Sequence, residues 1–206
     1  MQRTISVSAE GSVVTKPDMA RISSGVVSEA RTAREALTAN SAAVQKLIAA
    51  LKQAGIAAAD LQTSSINVQP RYTHHKDGQA PRIDGYTVSN DLSVVVRDLG
   101  KLGDILDQLV TLGANQIGGL RFDIANADAL RDEARKAAVA NARKRAALYA
   151  EAAGVTLGDV LEITEGEGQA TPRGPMLARA ALRESVPIEE GSHKVEARIS
   201  ITWSLK

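Results

Sequence analysis

The first residues of the chain alternate. Ile5, Val7, Ala9, Gly11 and Val13 stand against Thr4, Ser6, Ser8, Glu10 and Ser12. A period of two over that length predicts a strand with one wet face. Lys16-Pro17-Asp18 has the chemistry of a tight turn. With a second strand over residues 19–28, it predicts an opening β-hairpin.

The period then changes. Thr32-x-x-Glu35 is a capping box, and Leu37, Val44, Leu47, Leu51 and Ala54 recur at helical spacing until Gly55 supplies a left-handed stop. Asn40 interrupts this stripe; it reads either as a bond to a neighbouring loop that fixes helix docking or as a plain boundary position. Strands follow over residues 61–72 and 83–97, the second with Tyr86, Val88, Leu92, Val94 and Val96 on one face. A polar loop over residues 74–82 joins them and contains Asp77-Gly78.

Asp98 can cap a second helix, striped by Leu99, Leu102, Leu106, Leu109 and Leu112 and stopped by Gly113. A short strand with Leu120, Phe122 and Ile124 comes next. The third helix, residues 127–153, carries a narrow stripe of Leu130, Ala134, Ala138, Ala142, Ala146, Tyr149 and Ala153. Side chains that small let a helix lie close on a sheet. Gly154 ends it. Strands over residues 159–165 and 195–205 complete the pattern, the last with Val195, Ala197, Ile199, Ile201, Trp203 and Leu205 together. Trp203 is expected to be buried beside the first or third helix.

Three times an apolar residue stands four before a helix-ending glycine: Leu51/Gly55, Leu109/Gly113 and Ala150/Gly154. Duplication would produce this, and so would ordinary helix-ending chemistry. The one irregular stretch, residues 166–192, mixes glycine and proline with a small helical patch around Met176, Leu177 and Leu182, an expected interaction segment. The predicted fold is α+β: about seven mostly antiparallel strands with three helices packed on one face, ordered β-β-α-β-β-α-β-α-β-β. A single domain over residues 1–206, with the irregular insertion, is expected.

Composition narrows the functions. At 206 residues folding buries roughly 70% of the unfolded surface without a staple. Aromatic residues number five, so the core is aliphatic and a base-stacking platform is hard to supply. Twenty-five Lys and Arg balance twenty-four Asp and Glu, which leaves no long-range field for nucleic acid or an anionic membrane. The absence of cysteine removes thiol catalysis, Fe–S clusters and zinc–cysteine sites. No apolar run approaches the roughly 20 residues of a membrane span. Met1-Gln2-Arg3 runs almost directly into strand-like sequence, a start that suits a mature chain freed of its leader and a natural cytosolic chain equally.

Candidate chemistry is sparse. His74 and His75 are adjacent, so on an extended strand end they point to opposite faces, and only a sharp turn lets both grip one metal. With His193 they exhaust the histidines. Arg131, Arg135, Lys136, Arg143, Lys144 and Arg145 make the third helix basic, but Asp128, Asp132 and Glu133 sit three or four residues from several of them, predicting a salt-bridged, solvated face. Gly118-Gly119 lacks the layout of a phosphate loop, and no Gly-x-Ser-x-Gly elbow exists. Asp77, Glu189 and Glu190 are loop carboxylates with no predicted partner across a cleft.

The ordered motifs resemble one family. Ile5-Ser-Val-Ser-Ala-Glu-Gly11 and Pro17-Asp18-Met-Ala20 are similar to the opening of SIMPL-domain proteins. Thr63-x-x-Ile66-x-x-x-Pro70-x-Tyr72, Gly85-Tyr86-x-Val88-x-Asn90, Arg97-Asp98-Leu99, Gly113-Ala114-Asn115-x-Ile117 and Gly154-x-x-Leu157-Gly158 continue the series. One departure stands out: family openings often read Gly-x-Gly where this chain has Ala9-Glu10-Gly11. The resemblance implies a periplasmic protein with a cleaved leader, a link to oxidative-stress tolerance, antigenicity, and no established catalytic residues. Together with the edges that an open sheet offers to another chain and the apolar patch in residues 166–192, this gives the expectation of a non-enzymatic, self-associating scaffold or protein-interaction module of the envelope. It has no catalytic, cofactor or metal residues, makes homo-oligomers, and has envelope proteins as further partners. A small-ligand or metal-binding protein using the His74-His75 loop is the alternative, and an enzyme with a scattered site the third class.

Overall fold

The computed structural model describes residues 3–73, 80–166, 171–173 and 188–206. In chain order its elements are β1 (Thr4–Thr15), β2 (Met19–Ala30), α1 (Ala33–Gln53), β3 (Leu61–Thr73), β4 (Arg82–Val96), α2 (Leu102–Thr111), β5 (Gln116–Asp123), α3 (Ala127–Ala152), β6 (Leu157–Gly166), β7 (Thr171–Arg173) and β8 (Ser192–Leu205). The seven predicted strands and three predicted helices are all present; the three-residue β7 is the addition. Each pairing among the described residues is antiparallel. The class is α+β.

The strands divide between two sheets, and the chain between two compact units. In the first unit the order is β1-β8-β6, with β7 also on β8. In the second it is β3-β4-β2-β5. The predicted opening hairpin is therefore not formed. β1 pairs with β8 from Thr4↔Ser204 to Thr15↔His193, whereas β2 pairs with β4 and β5. Lys16-Pro17-Asp18 is where the chain leaves one unit for the other. Turn chemistry in the sequence marks a change of direction but not which strand the chain will pair with next.

In the first unit α3 lies on β1 and β8. Its buried residues are Ala134, Ala138, Ala142, Ala146 and Ala150, an unbroken i, i+4 row. Such a row forms a ridge inclined about 26° to the helix axis. The predicted stripe strayed from it at Tyr149, which is exposed while Ala150 is buried. Gly11 shows how near the helix comes: a Cβ built there would overlap the Ala134 carbonyl oxygen and the Ala138 nitrogen. Trp203 is buried in the same cluster, with Val7, Ala9, Ile199, Ile201 and the α3 alanines. It sits beside the third helix, as one branch of the expectation had it.

In the second unit α1 buries Ala36, Asn40, Val44, Leu47 and Leu51 against β2 and β4. Leu37, placed in the predicted stripe, is exposed, because the buried row starts one residue earlier at Ala36. α2 adds Leu102, Ile105 and Leu109 to this core, which also holds Ile22, Leu92, Val94 and Val96. The capping box forms: Glu35 N donates to Thr32 Oγ1 at 3.2 Å and Thr32 N to Glu35 Oε2 at 3.3 Å. Asp98 Oδ1 accepts from Gly100 N at 3.1 Å and opens a short turn that leads into α2.

All three helices stop the same way. Gly55, Gly113 and Gly154 take φ of 94°, 101° and 67°. The residue after each donates back across the turn: Ile56 to Leu51 O, Ala114 to Leu109 O and Val155 to Ala150 O. That six-to-one bond is the Schellman closure, and it gives the residue four before each glycine its role.

Candidate interaction surface

A sheet face is sealed only as far as its helices reach. In the second unit β3 is an edge strand, paired among the described residues with β4 alone. Residues directly opposite on paired strands share a face. Val68 stands opposite Val88, which is 0% exposed beneath the helix layer, and Ile66 stands opposite the buried Asn90. Yet Ile66 is 59% exposed and Val68 43%, with Tyr72 exposed further along. The apolar face of this sheet runs one strand beyond its cover. Every β3 residue from Gln62 to Tyr72 is exposed.

The first unit repeats the arrangement. Among the described residues β6 pairs only with β8, setting Val160 opposite Trp203 and Ile163 opposite Ile201. Their partners are core residues; Val160 and Ile163 are themselves exposed. A bulge between Val160 and Glu162 leaves Leu161 exposed as well. Glu165 on this strand accepts from Arg135 Nε of α3 at 2.8 Å.

The two remaining edges are occupied or broken. On β1, Ser8 O accepts from Arg145 Nη1 at 3.2 Å and Glu10 O from Asn141 Nδ2 at 2.8 Å, so side chains of α3 take carbonyls that strand pairing would use. On β5, the register against β2 shifts between Arg21 and Ser23, and Gly119 has φ of 64°. The Asn115 side chain finishes this ladder: its Oδ1 accepts from Val27 N at 2.7 Å and its Nδ2 donates to Val27 O at 2.8 Å.

Two polar clusters are built on ion pairs. Arg97 grips Asp60 with two bonds, Nε to Oδ2 at 2.8 Å and Nη2 to Oδ1 at 2.7 Å. The guanidinium holds the Asp60 carboxyl below its ordinary value, chiefly through that hydrogen bonding. A concavity of about 160 Å³ lies beside the pair, lined by Gly55, Ile56, Lys101 and Ile105 among others. Arg198 likewise lowers Glu10, through a hydrogen bond first and charge second, at an open hollow that Arg145 also lines. Asn40 is buried and donates to Val26 O at 2.7 Å and Val88 O at 3.2 Å. It ties α1 to strands β2 and β4 rather than to a loop. Asn40 Oδ1, Asn90 Oδ1 and Ser24 Oγ are buried with no hydrogen-bond partner among the described residues.

His74, His75, Met176, Leu177 and Leu182 lie outside the described residues. His193 is on β8 opposite Thr15. Two of the α3 cations form ion pairs of the predicted kind, Arg131 with Asp128 at 2.9 Å and Arg135 with Asp132 at 2.8 Å. Among the described residues no three His, Asp or Glu side chains gather as metal ligands would, and no helix is long and apolar enough to cross a membrane. No residue of the β3 edge is among the predicted interaction residues. Its signal was there: nine residues, 61–69, without a charge.

Two antiparallel sheets, each covered by helix on one face and each with one exposed edge strand among the described residues, define an α+β protein. The chain belongs to the SIMPL family, described as "Protein of unknown function (DUF541)", whose model matches residues 5–203. It is 45% identical over 98% of its length to the 26 kDa periplasmic immunogenic protein of Brucella melitensis, covering 84% of that protein. It is 44% identical, with the same coverage, to the protein of that name in Brucella abortus. The protein named "Uncharacterized protein YggE" of Escherichia coli K12 is 31% identical over 98% of the chain and 83% of its own length. The location implied by the resemblance, the periplasm, is the one carried in the names of the Brucella relatives, and the chain is placed there with them.

Proposed function

We propose that this chain is a non-enzymatic module of the periplasm that works by binding polypeptides, copies of itself first and other envelope proteins second. The observation that carries the reading is the bare apolar edge present in both units, Ile66 and Val68 on β3 and Val160 and Ile163 on β6. Edge strands with unpaired backbone groups recruit another chain unless something blunts them. The ionic groups that would attract a catalytic reading, Asp60 with Arg97 and Glu10 with Arg198, are spent on each other. Any contribution to oxidative-stress tolerance, which the resemblance implies, would then follow from assembly rather than from turnover.

Sedimentation of the purified chain across micromolar concentrations tests this. A species heavier than one chain, growing with concentration, is the expected result. A single-chain species throughout rejects self-association.

A further inference from the structure

We infer that two copies join through β3 edge to edge, antiparallel and centred on Asn67, so that the sheets of their second units become one. This rests on the self-association reading above and names the surface that would carry it.

Four sheet edges among the described residues compete for the role. β1 has carbonyls taken by Asn141 and Arg145, and β5 is interrupted by its register shift and by Gly119. β6 carries Asp159, Glu162 and Glu165 within ten residues, so a second β6 would set acid near acid. β3 alone is free of charge from Leu61 to Gln69. A neutral strand whose ends are polar can meet its own copy without repulsion.

The direction of the backbone groups follows from the ladder. Gly25 O and both polar groups of Val27 bond towards Asn115, on the β5 side. In an antiparallel ladder these groups alternate side to side along each strand. Val26 therefore faces β4, its partner Asn90 faces β2, and Ser89 and Asp91 face β3. Across the next pairing, Asn67 turns to Ser89, which leaves Ile66, Val68 and Pro70 pointing outward. Pro70 stands where the ladder needs no donor from it, in accord with this phase. A register shift between Thr63 and Ser65 closes the usable window at its other end. Residues 65–69 remain.

Within that window a two-fold pairing centred on Asn67 places Ile66 opposite Val68 of the second copy, twice. The two residues exchange backbone bonds, and all four aliphatic side chains fall on one face, the helix-bearing face beyond the reach of its helices. Asn67 meets itself on the other face as a non-hydrogen-bonded pair, with Cα atoms about 4.5 Å apart. That separation accommodates a disulfide.

The chain has no cysteine, so a single introduced one reports on one contact. Asn67→Cys is expected to form a covalent dimer on mild oxidation, and Thr164→Cys on β6 is not. Asn67→Lys and Asn67→Glu are each expected to weaken association at least tenfold in sedimentation, at an unchanged thermal midpoint, and an equal mixture of the two to restore it. If wild type associates while Asn67→Cys stays uncoupled and Asn67→Lys associates normally, the β3 assignment is overturned and self-association survives. A wild-type chain that never leaves the single-chain state overturns both.

Discussion

The two units solve one packing problem with opposite materials. In the first, α3 meets β1 through alanine every fourth residue, and Gly11 beneath it has no room for a Cβ. In the second, α1 meets β2 and β4 through Val44, Leu47 and Leu51, with Asn40 bonded to two strand carbonyls. The first interface is close and tolerates no growth. The second is filled by large side chains and tolerates no shrinkage. Contact with backbone leaves little room to relax, whereas interlocked leucines leave a hole when one is removed.

The contrast can be broken from either side. The largest effect is expected from Gly11→Val, which drives a branched side chain into the α3 backbone; cooperative unfolding of the first unit should be lost in denaturant titration. A cooperative transition at the wild-type midpoint would mean that α3 can lift away. Trp203→Ala removes the one large aromatic body among those alanines and should cost about 3–5 kcal/mol. Leu47→Ala in the second unit should cost about 2–5 kcal/mol through the cavity it leaves. An undisturbed midpoint there would make the leucine interface as dispensable as an exposed one.

The smallest effect concerns Asp60, and it depends on pH. Its carboxyl is held below the ordinary 3.8 by Arg97, so its contribution to stability is present above that value and fades as pH falls through the lowered one. Asp60→Asn should unfold earlier than wild type at pH 7, with the two curves converging in strong acid. A gap of equal size at both extremes would show that the ion pair is not its source.

Much of this was legible in the residues. The capping box at Thr32 and Glu35, the three glycine stops and the alternation of β8 are local signals, settled by the backbone needs of a few neighbours. Strand partnership is not local. Nothing between Thr15 and Met19 says that β1 will pair with β8, nearly two hundred residues on. Helix cover was half legible: alanine spacing marked α3 as close-packed, but a one-residue phase error put Leu37 and Tyr149 in rows they do not occupy. For the candidate surface, composition supplied the neutral run at residues 61–69, while its exposure depended on where the helices end.

Asn115 has one further consequence. By presenting its amide to Val27 as if it were another strand residue, it lets an interior strand run past the end of its neighbour without a vacant rung. A side chain with an acceptor alone, such as aspartate, would mimic only half of a peptide unit. The sheet is thus proofed against fraying at that corner by a single primary amide, and the identity of one residue determines whether the border of the sheet stays shut.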